Sequence, residues 1–232
     1  MKGRAIVVTG GFGALGQVVA EAAARRGALV ATLDLAAAPP AGLAERLPAE
    51  ALLLGGVDLT SADSAREAMA KVEARFGRLD ALINVAGGFR WETVGDGDPT
   101  TWDRLFALNV KTALNASKAA LPYLLESGAG RIVNVGANSA VKSGAGLGAY
   151  AASKAGVHRL TESLAEELKN HGVTVNAVLP AIIDTPANRA EMPNAQFDRW
   201  VAPADLAAVI LFLASPEARA VTGALVPVVG GV

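Results

Sequence analysis

No cysteine occurs anywhere in this chain. Disulfides, thiol catalysis and cysteine-ligated metals are therefore excluded, and the composition suits a reducing compartment. Histidine is almost as scarce, with only His158 and His171 present. Both fall on or just past one predicted helix with no second ligand pair. No metal site is expected, and both read as surface histidines. An excess of one charge is missing too: the formal net charge is −1, which gives no electrostatic footprint for nucleic acid. No uncharged apolar stretch reaches the ~18 residues of a membrane span. No basic segment followed by a long apolar one opens the chain, so no secretory signal is read. These absences predict a cytoplasmic protein with neither a membrane nor a nucleic-acid partner. With 52% hydrophobic and 19% charged residues, disorder is excluded. A length of 232 residues suits one domain, residues 1–232, with a sizeable core.

What the chain does have is alternation. Strand-like runs at Arg4–Thr9, Leu29–Leu33, Ala51–Val57, Leu79–Val85, Gly130–Gly136, Val173–Leu179 and Ala224–Val229 are separated by helical patterns. The helices are read at Val18–Arg26, from a Ser61 cap to Phe76, from an Asp98 cap and Pro99 to about Glu126, from Tyr150 to about Asn170, and at Pro203–Ala214. Ala36–Pro48 predicts a short irregular helix. Gly87–Gly97 is a loop whose Phe89, Arg90 and Trp91 are a candidate substrate-pocket wall. Pro180–Val201 is a long irregular segment, read as a functional loop or lid. The alternation predicts an α/β fold: one doubly wound parallel sheet of about seven strands with helices on both faces.

The first strand runs straight into Gly10-Gly11-Phe12-Gly13-Ala14-Leu15-Gly16 and then a helix. That is the context of a Rossmann-type dinucleotide site, where glycines let the backbone approach a pyrophosphate and a helix start attracts its charge. Gly10, Phe12, Gly13, Ala14, Leu15 and Gly16 are the candidate residues. Asp34 ends the second strand, where a carboxylate can accept both hydroxyls of an adenosine ribose and repels a 2′-phosphate. NAD is therefore expected over NADP. Asp58 and Leu59, after the third strand, can border the adenine, or Asp58 can simply fix the turn. After the fourth strand, Asn84, Ala86 and Gly87 let a cofactor lie against the backbone.

Tyr150 and Lys154 are four residues apart at the head of a helix whose Val157, Leu160, Leu164 and Leu168 recur at helical spacing. Positions i and i+4 share a face. A phenol titrates near ~10. A fixed positive charge beside it is expected to lower that value and make the tyrosine a general acid or base.

In this order, Thr9 to Gly16, Asp34, Asp58, Asn84-Val85-Ala86-Gly87, Asn109, Tyr150-Ala151-Ala152-Ser153-Lys154 and the proline after the sixth strand resemble the short-chain dehydrogenase/reductase family. The resemblance covers nearly the whole chain. It implies that Tyr150 donates or accepts the proton, that Lys154 binds the nicotinamide ribose and lowers the tyrosine pKa, and that Asn109 holds a relay water. It also implies that Pro180, Ala181, Ile182 and Thr185 lie against the nicotinamide. The sequence departs from the family pattern at Ala14 and Ala181, which replace glycines. The third departure is larger. Ala137, thirteen residues before Tyr150, stands where the family keeps a catalytic serine. Ser139 or Asn138 could serve only if the loop is shaped differently.

A narrower resemblance, over Gly136–Tyr150, Leu179–Arg189, Met192-Pro193, Phe197 and Trp200, is to the dihydropteridine reductase group, which also carries alanine at the serine position and uses NADH. It implies a small conjugated acceptor, pterin- or quinone-like. The alternatives are a carbonyl or alcohol dehydrogenase using Ser139 or Asn138 beside Tyr150, and an NAD-binding regulator without turnover. The family resemblance implies a homo-oligomer, tetramer or dimer. Small faces at Ala113, Ala116 and Ala120 and at Ala152, Ala155 and Gly156 are the physical candidates for its contact.

Overall fold

The computed structural model describes residues 1–231. The short apolar runs become β1 (Ala5–Thr9), β2 (Leu29–Leu33), β3 (Leu52–Leu54), β4 (Ala81–Asn84), β5 (Arg131–Val135), β6 (Thr174–Pro180) and β7 (Leu225–Val228). All pair in parallel, in the order β3-β2-β1-β4-β5-β6-β7. Strands buried on both faces explain why the sequence shows continuous apolar runs rather than alternation. Ile6, Val8 and Ile83 pack to one side under α1 (Ala14–Arg25) and α8 (Pro203–Leu213). Val7, Leu82, Ile132 and Val175 pack to the other, with α3 (Ala62–Phe76), α5 (Thr112–Glu126) and α6 (Gly148–Leu168). The strand order reverses between β1 and β4. Beyond their carboxyl ends lies the crevice where open α/β sheets bind ligands.

Both anticipated caps are formed: Ser61 Oγ accepts from Ser64 N at 3.3 Å and Asp98 Oδ1 from Thr100 N at 2.9 Å. Other expectations are corrected. α1 begins at Ala14 rather than Val18, because Gly10 turns the chain in one step at φ +63° and Gly13 already caps the helix. Gly16 therefore sits inside the first turn, where a Cβ would lie 2.1 Å from Gly10 O. The short helix expected before β3 is α2 (Leu43–Arg46), and β3 itself is three residues long. It stops at Gly55, whose missing side chain makes room for Ala37 O, and at Gly56 with φ +70°. The helix from Pro99 is not continuous. α4 (Pro99–Phe106) passes through a π turn at Ala107–Lys111 into α5. That turn carries Asn109, and one widened turn is a usual way to re-aim a side chain within a helix.

The segment after β6 is more ordered than its sequence suggests. It contains α7 (Pro186–Glu191) and a 3₁₀ turn at Phe197–Arg199. Arg189 forms a two-bond pair with Asp184 at 2.6 and 2.7 Å and lies 4.7 Å over the Phe197 ring, which packs on the buried Trp200. The small helix faces also behave differently. Ala113, Ala116 and Ala120 are buried within the subunit, and a Cβ on Gly156 would sit 2.8 Å from Val110 Cγ2. These residues close helix contacts inside one chain, whereas on α6 Ala155 is half-buried and Ala152 exposed.

Gly10 combines its positive φ with a close approach, since a Cβ there would come within 2.9 Å of Ala86 Cα. Gly10→Ala should destabilise the protein by at least about 1 kcal/mol in urea unfolding, and an unchanged midpoint would show that the loop can relax.

Candidate active site

A cleft of about 500 Å³ opens along the carboxyl ends of the strands. At one part of its wall stand Gly13, Ala14, Leu15 and Gly16. No side chain caps the start of α1, so the first N–H groups of a twelve-residue helix face the cleft without helical partners. With the helix dipole behind them they suit an anion. Thr9 Oγ1 accepts from Val85 N and Ala86 N at 3.1 Å each, which locks the exit of β4 against Gly10. Asp34 lies on the wall with its carboxylate set by two backbone bonds, from Phe12 N at 2.9 Å and Ala36 N at 3.0 Å. Asp58 and Leu59 line the next stretch. Asp58 accepts from Thr60 N and Oγ1, so it does fix its turn. Asn115, not singled out from sequence, ties the same loop down by donating to Leu59 O and Thr60 O. Its only sequence signal is a polar amide inside a helix.

Ala86, Gly87, Tyr150, Lys154 and Thr185 share the cleft with Gly88, Phe89, Leu108 and Ile183. Lys154 is buried, and its Nζ donates to Val135 O at 2.7 Å. Burial pushes its pKa down to about 8 and pushes the Tyr150 phenol up to about 12. The expectation that the lysine lowers the tyrosine is thus not met, because desolvation of the phenolate dominates. The Phe89 ring meets Tyr150 edge-on, centroids 4.9 Å apart.

Several anticipated residues stand behind the wall. Asn109 is buried beneath it. Its Oδ1 accepts from Gly88 N at 2.9 Å, and its Nδ2 donates to Gly88 O at 3.0 Å and to Ser153 Oγ at 2.9 Å. Ser153 Oγ in turn donates to Tyr150 O at 2.7 Å, so a serine that the sequence reading passed over links Asn109 to the tyrosine's backbone. Asn84 is buried one strand away, donating to Ser117 and Asn134. Phe12 turns its ring into the core and does not line the cleft, its N–H being taken by the Asp34 carboxylate. Pro180 ends β6, and Ala181 and Ile182 are engaged through backbone bonds to Val228 and Val201. None of the three lines the cleft.

At the position of the missing serine, Ala137 is 3% exposed. Asn138 is exposed and Ser139 half-buried on a 3₁₀ turn, and neither lines the cleft. The loop is not reshaped to bring either beside Tyr150. The expectation for His158 is overturned: it is 3% exposed and not a surface residue. Among the described residues no group of three or more acidic or histidine side chains is placed to hold a metal, and no helix is long and apolar enough to cross a membrane.

Comparison with known proteins fits this geometry. The short chain dehydrogenase family matches residues 4–196. The chain belongs to that family. It is 35% identical to 2-(S)-hydroxypropyl-CoM dehydrogenase 3 of Xanthobacter autotrophicus, covering 100% of this chain and 97% of the relative. It is 32% identical to a 3-oxoacyl-[acyl-carrier-protein] reductase of Thermotoga maritima, covering 100% and 98%. The crystal structure of carveol dehydrogenase from Mycobacterium avium in complex with NAD superposes with a TM-score of 0.88 at 25% identity, covering 100% of this chain and 98% of the other. This chain is a short-chain oxidoreductase. These relatives carry alcohol- and carbonyl-oxidoreductase names, so the narrower resemblance to dihydropteridine reductases is not shown by them.

The buried lysine sets the sign of a pH dependence. The folded protein holds this proton less tightly than the unfolded chain does. Stability therefore rises with pH between about 8, the folded value, and 10.5, the ordinary one. Tyr150 acts in the opposite sense only above its ordinary value of 10.0. The urea midpoint of the ligand-free protein should climb between about pH 7.5 and pH 9.5 by the equivalent of about 1–3 kcal/mol. The climb should disappear in Lys154→Met, and a flat profile for the unsubstituted protein would contradict a buried, titrating amine.

Proposed function

We propose that this enzyme uses NADH to reduce a small, planar, conjugated acceptor of the pterin or quinone kind, with Tyr150 as proton donor. The observation that carries the reading is the wall around Tyr150. Phe89 meets the phenol edge-on, Leu108 and Ile183 line the same cleft, and with Ala137 buried at the serine position neither Asn138 nor Ser139 joins them. Reducing a simple carbonyl concentrates charge on one oxygen, where a second donor helps. A conjugated ring spreads that charge over several atoms, so one donor suffices. The apolar part of that wall, with its aromatic ring, also suits a flat conjugated molecule.

The residues fit the cofactor. The uncapped N–H groups at Ala14–Gly16 would take the pyrophosphate, Asp34 the adenosine ribose, and Lys154 and Thr185 the nicotinamide end, with Gly87 admitting close backbone approach. Bound there, nicotinamide supplies the hydride. Tyr150, held as a neutral phenol by burial, can give a proton rather than take one, which favours the direction of reduction. Lys154 carries most of its charge at neutral pH and stabilises the phenolate left behind. Asn109 acts from beneath by holding the Gly88 backbone and Ser153.

The second reading is a carbonyl or alcohol dehydrogenase, favoured by the names of the relatives. Homo-oligomerisation and a cytoplasmic location belong to the proposal as well. The first now rests on Trp102 and Phe106 of α4, exposed at 42% and 50%, and on the exposed Ala152 of α6, in place of the buried alanines of α5.

NADH should bind at least about tenfold more tightly than NADPH, since Asp34 would face the 2′-phosphate with like charge. Asp34→Ala should narrow the gap in fluorescence titrations, and equal affinities in the unsubstituted protein would overturn the assignment.

The acceptor is tested by NADH oxidation with a quinonoid dihydropterin, quinones and simple ketones. The conjugated acceptors should turn over fastest, Tyr150→Phe should lower the rate by ~10²–10⁴-fold, and Ser139→Ala should change it little. Turnover of ketones alone, with a loss of ~10²-fold in Ser139→Ala, would establish the carbonyl reading instead.

A further inference from the structure

We propose that His158 is a positioning residue for the reaction. Its neutral imidazole holds the backbone of Ala137 where the family sets its serine, and it does so beside Lys154 on the same helix. His158 lies four residues after Lys154 on α6 and is 3% exposed. Its Nε2 accepts a hydrogen bond from Ala137 N at 3.4 Å. A backbone N–H can only donate, so Nε2 carries no proton and the ring's proton is on Nδ1. The space for the ring depends on its neighbour. A Cβ on Gly136 would lie 2.6 Å from Nε2 and 2.8 Å from Cδ2.

The contact has a counterpart. Lys154 Nζ donates to Val135 O at 2.7 Å, so α6 grips Val135 and Ala137, either side of Gly136, with two side chains one turn apart. Gly136 N is held from the other side by Val178 O at 2.9 Å. This stretch leaves β5 and begins the loop that leads to Tyr150. Where a serine would tie the loop to the reaction directly, the histidine ties it to the helix that carries both reacting groups.

Protonation would undo this. A proton on Nε2 turns the acceptor into a donor facing another donor, and it adds a cation next to the Lys154 ammonium. The charged groups acting on His158 are Arg159 and Lys154, both on α6. From β5, Arg131 is engaged at the far end of the strand with Gly130 O and Ser215 O. The β6 strand and the turn at 138–140 contain no charged residue. Burial, then Arg159 and Lys154, hold the imidazole below its ordinary value. Activity should therefore fall as acidification protonates it.

The proposal rests on Tyr150 and Lys154 being the reactive pair, but not on which acceptor they serve. With only two histidines, the ring can be read directly by ¹⁵N NMR of the full chain, assigned against His171→Gln. The expected state near neutral pH is Nδ1 protonated and Nε2 bare. The Nε2-protonated tautomer, or a charged ring, overturns the proposal whether or not a substrate has been found. The second arm is kcat over about pH 5 to 9 on the best acceptor. The unsubstituted enzyme should show an acid limb that matches the NMR titration of His158. His158→Gln, whose amide oxygen can still accept from Ala137 N, should keep most of the alkaline plateau and lose that limb. His158→Leu should lose roughly tenfold in kcat at every pH, the consequence of an orphaned buried N–H. An acid limb that survives in His158→Gln, or its absence from the unsubstituted enzyme, overturns the positioning role. Loss of turnover in Tyr150→Phe with a pH-independent plateau would leave the catalytic reading intact and remove this one.

Discussion

A primary amine inside a protein core is tolerated only where a fixed acceptor meets it, and here Lys154 Nζ meets the carbonyl of Val135 at the end of a central strand. Much of the site follows from that contact. α6 must lie close over β5, and it does so by pressing Gly156 against Val110 in the π turn, where a Cβ would not fit. The π turn in turn delivers Asn109 to the backbone of Gly88. Gly87, between β4 and that contact, has no room for a side chain, since a Cβ would lie 2.5 Å from Asn109 Oδ1 and 3.4 Å from Lys154 Nζ. Lysine, π turn, asparagine and glycine are therefore one packing unit rather than separate motif positions.

The same unit explains the electrostatics. The groups that exclude water from Lys154 also exclude it from Tyr150, and in both the charged form is disfavoured relative to water. The lysine, at about 8, still carries its proton at neutral pH, and the phenol is kept protonated. A reading from sequence that counts only the attraction between the two groups misses the larger desolvation of each, because burial depth is a tertiary quantity.

The fold was largely legible. Seven short apolar runs cannot be membrane spans or surface strands, and their alternation with helical periods leaves few topologies. Ser61, Asp98 and Pro99 announce their helices by local chemistry. What stayed hidden depends on long-range contact. The π turn exists to serve Gly88, across a loop. The early start of α1 depends on a positive φ at Gly10. The alanines of α5 are equally suited to an internal or an external neighbour, and only the packed structure distinguishes them. His158 was readable in principle. It falls on the buried stripe of Lys154, Val157, Thr161, Leu164, Ala165 and Leu168, and reading histidine as a polar residue hid a position that the period assigns to the core.

The vacant serine position is then less a defect than a redistribution. Ala137 is buried, so the loop contributes its backbone there, with no side chain on the cleft wall. The polar work beside Tyr150 has moved inward, to Ser153 bonded to the tyrosine's carbonyl and Asn109 bonded to Ser153. Facing outward, the wall keeps an aromatic edge from Phe89, and neither Asn138 nor Ser139 stands on it. A site arranged in this way offers a single carbonyl oxygen no serine hydroxyl next to Tyr150. On the function we propose, the acceptor's own conjugation would take over the stabilisation that a serine supplies to a single oxygen.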